Sequence, residues 1–224
     1  MKFHILTLFP EMVVNGLNHS IIKRAINNNI ITINCINIRD YANNKHNKVD
    51  DYPYGGGTGL IIRPQPVYDA FKSINSSSKN VIVCHLSPKG RKFCQKIAKT
   101  YATQNEIVLI CGHYEGIDQR VIDEIATDEV SIGDYVLTGG ELAAMVVVDA
   151  TARLVKGVIQ KEEATKDESF ENNLLEYPQY TRPEVFMGRE VPQVLLSGHH
   201  NNIKEYKINK SLEITKLKRP DLLN

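Results

Sequence analysis

Two short apolar runs separated by a helical stretch constrain the fold of this chain more than any other feature. The runs occupy residues 81–84 and 107–111, and both are continuous rather than alternating. Such runs are typical of strands that are buried on both faces of a parallel sheet. Residues 89–101 lie between them and place apolar side chains at helical spacing. The pattern therefore predicts a strand–helix–strand unit and an α/β fold.

Further patterned segments extend this alternation along the chain. Strands are predicted over residues 3–8, a run that ends at Pro10, and over residues 30–38, where β-branched and polar residues alternate. Apolar residues recur at helical spacing in five more segments, 17–27, 67–74, 117–126, 141–155 and 201–217.

Composition divides the chain into three parts. Residues 1–160 contain the predicted α/β domain. Residues 161–173 are polar and charged without apolar periodicity, which predicts a flexible linker between domains. Residues 174–224 carry several prolines ahead of a basic helical segment, so we predict a small helical domain there.

Composition and charge exclude several classes of protein. Hydrophobic residues make up 42% of the 224 residues, too many for an intrinsically disordered chain. The longest apolar run, residues 142–148, is far shorter than the ~20 residues that a membrane span needs, so no membrane partner is expected. The chain begins without the pattern of a secretory signal. A net charge of +1 excludes a histone-like polycation, but local patches still allow a nucleic-acid enzyme.

The cysteines indicate a reducing compartment. The chain has four, and none forms a C-x-x-C pair. We therefore expect reduced core residues of a cytoplasmic protein, rather than a zinc site or a disulfide framework, at Cys35, Cys84, Cys94 and Cys111.

Glycine-rich loops mark a candidate ligand site. They cover residues 53–59, 111–116 and 131–141, and residues 86–90 follow the strand that neighbours the second loop. In an open α/β sheet, ligands bind beyond the carboxyl ends of the strands, and glycine lets the main chain approach them closely. The loops therefore predict a small ligand held largely by main-chain groups. Taken singly, each loop is better explained as a tight turn, but the three together favour the ligand site.

The common nucleotide motifs are missing from these loops. Residues 55–60 lack the Lys-Ser/Thr pair of a P-loop, and no G-x-G-x-x-G follows the first strand. This argues against a Rossmann dehydrogenase and against the common Rossmann-type methyltransferase.

Five blocks in order nevertheless resemble the TrmD family of bacterial tRNA (guanine-N1)-methyltransferases. They read VDDYPYGGG at 49–57, LSPKGR at 86–91, CGHYEGIDQRV at 111–121, SIGDYVLTGGEL at 131–142 and YPQYTRP at 177–183. The likeness extends from LFPEM at 8–12 to KRPDLL at 218–223, essentially the whole chain.

The resemblance implies a SPOUT-type fold, a mostly parallel sheet whose C-terminal part is tied in a trefoil knot. It implies a homodimer with the active site at the subunit interface, S-adenosylmethionine in the knot and tRNA spanning both subunits. The reaction would be methylation of N1 of guanosine 37, beside the anticodon. By position, the methyl donor would contact Leu86, Ser87, Pro88, Gly112, Tyr114, Glu115, Ile132, Gly133, Asp134, Tyr135, Val136, Leu137, Gly139 and Gly140. The family also uses Mg²⁺, although no acidic cluster in this sequence marks a metal site.

Methylation at guanine N1 needs a base and a cation. N1 carries a proton with a pKa above neutral, so a carboxylate alone is too weak unless the anion that forms on O6 is stabilised. Arg153 matches the arginine to which the family assigns that stabilisation; without the resemblance it is a solvated helix charge. The family's Asp-Ser-Phe segment reads Glu168-Ser169-Phe170 here, preceded by Asp167. Either carboxylate is a candidate base, and Glu168 is preferred.

Contacts to tRNA are expected from two basic segments, which are otherwise ordinary solvated faces. They are Lys23, Arg24, Arg39, Lys45, His46 and Lys48 near the start and Lys204, Lys207, Lys210, Lys216, Lys218 and Arg219 near the end. His46 is a tRNA contact by resemblance alone. Asp50 or Asp51 would accept hydrogen bonds from a flipped guanine, or else caps the loop before Pro53.

Two alternatives remain at this point. One is a SPOUT methyltransferase that acts on ribosomal RNA or on a ribose 2′-hydroxyl, which has no need of the linker carboxylate. The other is a noncatalytic RNA-binding regulator that keeps the fold.

Overall fold

The computed structural model describes residues 1–76, 81–159 and 168–223. The chain forms two compact units, Met1–Gln160 and Lys161–Asn224. Each unit is described by itself.

The first unit is built on a five-stranded parallel sheet. Its strands are β1 (Lys2–Thr7), β2 (Thr32–Asn37), β5 (Ile82–Lys92), β6 (Glu106–Cys111) and β7 (Asp128–Ser131). Their order across the sheet is β2-β1-β6-β5-β7, and each neighbouring pair is parallel. A short antiparallel ribbon is formed by β3 (Asp50–Asp51) and β4 (Ile61–Ile62). The predicted α/β class with a mostly parallel sheet is confirmed.

Helices cover both faces of this sheet. They are α1 (Pro10–Leu17), α2 (Ser20–Asn27), α3 (Pro64–Lys72), α4 (Gln95–Ala102), α5 (Gln119–Ile125) and α6 (Glu141–Ala152). The side chains of β6 alternate between two cores, because successive strand residues point to opposite faces. Ile107, Leu109 and Cys111 join the core that contains residues of α1, α2, α4 and α6. Val108 and Ile110 join the core that contains residues of α3 and α5.

Two helix boundaries differ from the prediction. Pro10 does not merely end the first strand: it opens α1, and proline suits the first turn of a helix because its missing N–H has no partner there anyway. The helix predicted over 17–27 begins only at Ser20, as α2, because Leu17 is the last residue of α1. The helix predicted from residue 89 begins only at Gln95, because β5 continues to Lys92.

Residues 86–90, predicted as a loop, lie inside β5 as a bulge. Leu86 and Arg91 both pair with Val130 of β7, so the intervening residues are extra to the register. Gly90 is required in this bulge, since a Cβ there would lie 2.4 Å from the main-chain nitrogen of Val130.

The second unit is smaller and mostly helical. It contains a hairpin of β8 (Val185–Phe186) and β9 (Arg189–Glu190), then α7 (Gln193–Leu196) and α8 (His200–Lys218). Thr215 of α8 is fully buried, and its hydroxyl accepts a hydrogen bond from the Leu175 N–H at 2.8 Å. Of the segment predicted as a linker, residues 161–167 lie outside the described residues, and Glu171–Asn173 forms a 3₁₀ turn.

All four cysteines are free thiols. Cys84 and Cys111 are buried and Cys35 is half-buried, but Cys94 is exposed at the start of α4 and is not a core residue, contrary to expectation. In the described part of the chain, no helix has the length and apolar character to cross a membrane.

Candidate functional site

A cleft of about 340 Å³ opens at the carboxyl ends of β5, β6 and β7. Small-molecule sites occupy roughly 300–1,000 Å³, so its size suits a ligand such as a nucleoside derivative. Its walls come from segments 85–89, 112–117, 129–133 and 135–140, together with Gln119 and Ala143. They comprise the bulged part of β5 and the loops at the carboxyl ends of β6 and β7, the edge of the sheet where ligands of open α/β sheets bind.

Main-chain contacts between two glycine-rich loops close the cleft on one side. The Gly140 N–H donates to the Gly112 carbonyl oxygen at 2.8 Å, and His113 pairs with Gly139 in an antiparallel bridge. A Cβ on Gly140 would lie 2.7 Å from the Cα of Cys111. The close approach of these two loops therefore depends on glycine at position 140.

The structure places thirteen of the fourteen predicted donor contacts around this cleft. The exception is Asp134, whose side chain is 93% exposed and lies 3.6 Å from the Lys92 ammonium. The first glycine-rich loop, residues 53–59, is not part of the cleft wall. Its Gly59 instead packs against the side chain of Glu115, which a Cβ on Gly59 would meet at 2.5 Å.

Four titratable residues of the cleft wall are not among the predicted donor contacts: His85, Lys89, His113 and Glu129. His85 directly precedes Leu86, so its place at a strand end was an available signal. Glu129 pairs with His85 in register, and that pairing depends on the strand order. The His113 ring packs edge-on against Phe9 and Tyr114, with centroid distances of 5.0 and 5.1 Å. Its Nδ1 is buried without a hydrogen-bond partner among the described residues.

Two buried groups flank the cleft. Burial raises the pKa of the Cys111 thiol well above its usual value, so this thiol is neutral and unsuited to nucleophilic attack. Glu141 is buried at the start of α6, where the helix dipole favours a negative charge, and accepts a hydrogen bond from the Thr7 hydroxyl at 2.7 Å. No group of three metal-ligating side chains occurs in the described residues.

Arg153 does not line the cleft of its own chain. It caps the carboxyl end of α6, whereas Gly140 at the other end of that helix closes the cleft. The twelve residues of α6 span about 18 Å at 1.5 Å per residue.

The candidate bases lie at the start of the second unit. Glu168 lines a groove of about 450 Å³ within that unit, beside Tyr177 and the first half of α8. Asp167 falls outside the described residues.

The predicted tRNA contacts near the start of the chain differ in exposure. His46 is exposed, in a turn that Asn44 organises through hydrogen bonds with the main chain of His46 and Lys48. Asp50 is only 8% exposed, within β3. Asp51 accepts a hydrogen bond from the Tyr52 N–H, which is the capping alternative.

The whole chain is similar to known proteins. The family model described as tRNA (Guanine-1)-methyltransferase TrmD matches residues 1–224. A relative from Alkaliphilus oremlandii (strain OhILAs), named tRNA (guanine-N(1)-)-methyltransferase, is 57% identical over 100% of this chain and 92% of its own length. A relative of the same name from Clostridioides difficile (strain 630) is 53% identical over 99% of this chain and 97% of its own length. The chain therefore belongs to the tRNA (guanine-N1)-methyltransferase family, TrmD.

Proposed function

We propose that this protein transfers a methyl group from S-adenosylmethionine to N1 of guanosine 37 in tRNA, next to the anticodon. The observation that carries the proposal is the family match over all 224 residues. With tRNA as substrate, the enzyme would act in the cytoplasm. The contact between the loops at Gly112 and Gly140 supports a further part of the proposal, that this segment forms the trefoil knot of a SPOUT fold.

The cleft fits the methyl donor. It has the volume of a nucleoside site, its loops approach through glycine main chain, and it holds a buried nitrogen on His113 for which the described residues supply no hydrogen-bond partner. S-adenosylmethionine supplies an electrophilic methyl group on a sulfonium centre. The cleft residues bind and orient the donor, and with glycine at positions 139 and 140 main-chain groups provide most of the contacts. We assign no residues to Mg²⁺, since the described part of the chain has no cluster of metal-ligating side chains.

Proton removal and charge stabilisation fall to two side chains. Glu168 takes the N1 proton as the methyl group arrives, and Arg153 donates to O6, where negative charge develops. A guanidinium suits this role because it stays charged and donates in a planar fork. Asp167, adjacent to Glu168, is the second candidate base.

A homodimer would bring Arg153 to the cleft. Arg153 lies ten residues beyond Ala143, the residue of α6 that lines the cleft of its own chain, which is about 15 Å along the helix, so we propose that the arginine acts on the substrate bound at the other subunit. Apolar side chains on and beside α1 and α6 are 41–46% exposed and supply a dimer surface. They are Phe9, Met12, Val14, Leu142 and Val146.

The second unit would bind tRNA mainly through phosphates. Its helix α8 carries Lys204, Lys207, Lys210, Lys216 and Lys218, and Arg219 follows it. Lys207 already lies 4.5 Å from the ring centroid of Tyr177, and Lys210 pairs with Glu213 at 2.6 Å. Phosphate contacts supply affinity without sequence choice, so we assign base recognition to the first unit, at His46 and Asp50.

Mass spectrometry of the methylated product tests this function. We expect one methyl group on the base of nucleotide 37 after incubation of tRNA with the protein and S-adenosylmethionine, and none when that guanosine is replaced by adenosine. A methyl group on a ribose, methylation of ribosomal RNA only, or no methylation at all would contradict the proposal.

Variants of the two carboxylates test the base. We expect Glu168→Gln to lower kcat by about 10²–10³-fold, because a positioned general base contributes about that factor. Asp167→Asn serves as the matched control and should stay within about threefold of wild type. Binding of S-adenosylhomocysteine should be unchanged in both. If both variants keep wild-type kcat, the assignment of the base is wrong.

A further inference from the structure

His85 and Glu129 form a hydrogen-bonded pair in the wall of the cleft. His85 lies on β5 two residues before the bulge at 87–90, and Glu129 is its register partner on β7. The imidazole Nδ1 lies 3.1 Å from Oε1 of Glu129. The His85 side chain is 12% exposed and that of Glu129 is 37% exposed. No role assigned above uses either residue.

The pairing fixes which ring nitrogen of His85 carries the proton. A carboxylate only accepts hydrogen bonds, so Nδ1 must donate, and in the neutral ring Nε2 is left with a lone pair. Nε2 lies 3.9 Å from the position that a Cβ on Gly112 would occupy, so it faces the loop on the opposite side of the pair. Among the hydrogen bonds described for this chain, none involves Nε2.

Several charges surround this ring. Glu129 faces it from β7, Lys89 acts on it from the bulge of β5, and Glu115 lines the same cleft from the loop after β6. Burial is the largest influence and lowers the pKa of His85 below its usual value, while Glu129 acts in the opposite direction. The ring is therefore neutral at physiological pH.

We infer that Nε2 of His85 accepts a hydrogen bond from an N–H or O–H group of the methyl donor, and that Glu129 holds the imidazole in the accepting tautomer. This rests on the proposed function, since it assumes that the cleft binds S-adenosylmethionine. The donor carries three kinds of suitable group: the ribose hydroxyls, the adenine amino group and the α-ammonium group. His85 is thus a binding residue of the donor site, and Glu129 is a positioning residue.

Calorimetry with S-adenosylhomocysteine at pH 8, where the ring is neutral, tests the inference. His85→Asn keeps an N–H beside Glu129 but has no atom in place of Nε2, so its Kd should rise about 5–10-fold, the effect of one lost hydrogen bond. His85→Gln places an amide oxygen near the former Nε2 and should recover most of that loss. Glu129→Gln no longer fixes the tautomer and should give an intermediate Kd. His19→Asn, an exposed histidine outside the cleft, is the matched control and should leave Kd unchanged.

The ring itself gives a second readout. Nitrogen-15 spectra of the histidine rings should show His85 protonated at Nδ1 only, with an Nε2 signal that shifts when S-adenosylhomocysteine binds. A wild-type Kd in folded His85→Asn, or protonation at Nε2 in the wild type, would overturn the inference. If the wild-type protein itself fails to bind the ligand, the assignment of the cleft falls first and the inference with it.

A truncated ligand identifies the bonded group. 5′-Methylthioadenosine lacks the amino-acid part. If its Kd also rises in His85→Asn relative to wild type, the hydrogen bond lies on the ribose or the adenine. If the Kd rises only for S-adenosylhomocysteine, the hydrogen bond lies on the α-ammonium group. Either result supports the inference.

Discussion

The carboxylate of Asp128, at the start of β7, accepts hydrogen bonds from side chains of two other elements, Arg91 after the β5 bulge and Tyr101 on α4. Nε and Nη2 of Arg91 donate to its two oxygens at 3.0 and 2.6 Å, and the Tyr101 hydroxyl donates at 2.7 Å. Burial acts to raise the pKa of Asp128, but the hydrogen bonds from Arg91 and Tyr101 outweigh it, so the pKa is lowered. The ionised carboxylate therefore stabilises the fold where β7 meets the bulge.

We expect Asp128→Asn to lower the free energy of unfolding by about 1–2 kcal/mol at pH 7, a value reduced because Arg91 is 57% exposed. A lowered pKa gives stabilisation that is present above the unfolded-state pKa of about 3.9 and is lost as pH falls through the folded-state value. The difference between variant and wild type should thus be full above about pH 5 and shrink below about pH 4. Urea unfolding across this range measures it.

Asp123→Asn is the control for this series. Asp123 is exposed on α5 and accepts one hydrogen bond from Gln119, a bond that asparagine can keep. Its free energy of unfolding should match wild type at every pH. This account would be contradicted if the difference in the free energy of unfolding between Asp128→Asn and wild type stayed constant down to pH 3.5. It would also be contradicted if that difference were no larger than the difference for Asp123→Asn.

Among the elements, the two loops that meet at Gly112 and Gly140 are in close main-chain contact. We expect Gly140→Ala to destabilise the protein by about 1–3 kcal/mol, because its Cβ would meet the main chain of Cys111 at 2.7 Å and cannot be relieved by a rotamer change. Thermal unfolding should show a Tm lowered by at least ~3 °C.

Gly112→Ala is the matched variant on the facing loop. Its Cβ would have no neighbour closer than 3.8 Å, an ordinary contact distance, so its Tm should stay close to wild type. Equal Tm values for the two variants would show that the loops are not packed as described.

The secondary-structure elements also show how far the local sequence pattern determines the structure. The strands of the βαβ unit were predictable because apolar runs as short as residues 107–111 suit a buried strand and are too short for a buried helix. Helix α1 was not predictable, because proline after an apolar run can end a strand as well as open a helix. The bulge at residues 87–90 was not predictable either, since a register shift depends on the partner strand β7 and leaves no mark in the sequence of β5.

At the scale of the whole molecule, the length of α6 sets how far Arg153 lies from the cleft of its own chain. The position of Arg153 relative to the cleft could not be read from the sequence, where residues 140 and 153 appear as near neighbours. Two of the three glycine-rich loops, residues 111–116 and 131–141, were predictable as one site, because parallel strands bring their carboxyl ends to one edge of the sheet, whereas the first, residues 53–59, is not part of the cleft wall. The pairing of His85 with Glu129 was not predictable from the sequence, because it depends on the strand order, with β5 next to β7.

Mixed dimers test the proposal that the protein is a homodimer in which Arg153 acts across the subunits. One chain carries Arg153→Ala, and the other carries Ser87→Trp, which fills the cleft with an indole. Each homodimer should be inactive, whereas the purified mixed dimer should regain about half the wild-type rate, since one intact cleft then meets one intact arginine. An inactive mixed dimer, with both chains folded and paired, would place Arg153 at the cleft of its own chain.

The position of β1 between β2 and β6 bears on how this protein is made. β1 can pair with β2 early, but its other neighbour, β6, emerges from the ribosome roughly 100 residues later, which takes about 5–20 s at typical rates of synthesis. During that interval an interior strand of the final sheet offers an open, apolar edge. The nascent chain is thus an expected client of ribosome-associated chaperones until β6 has been translated.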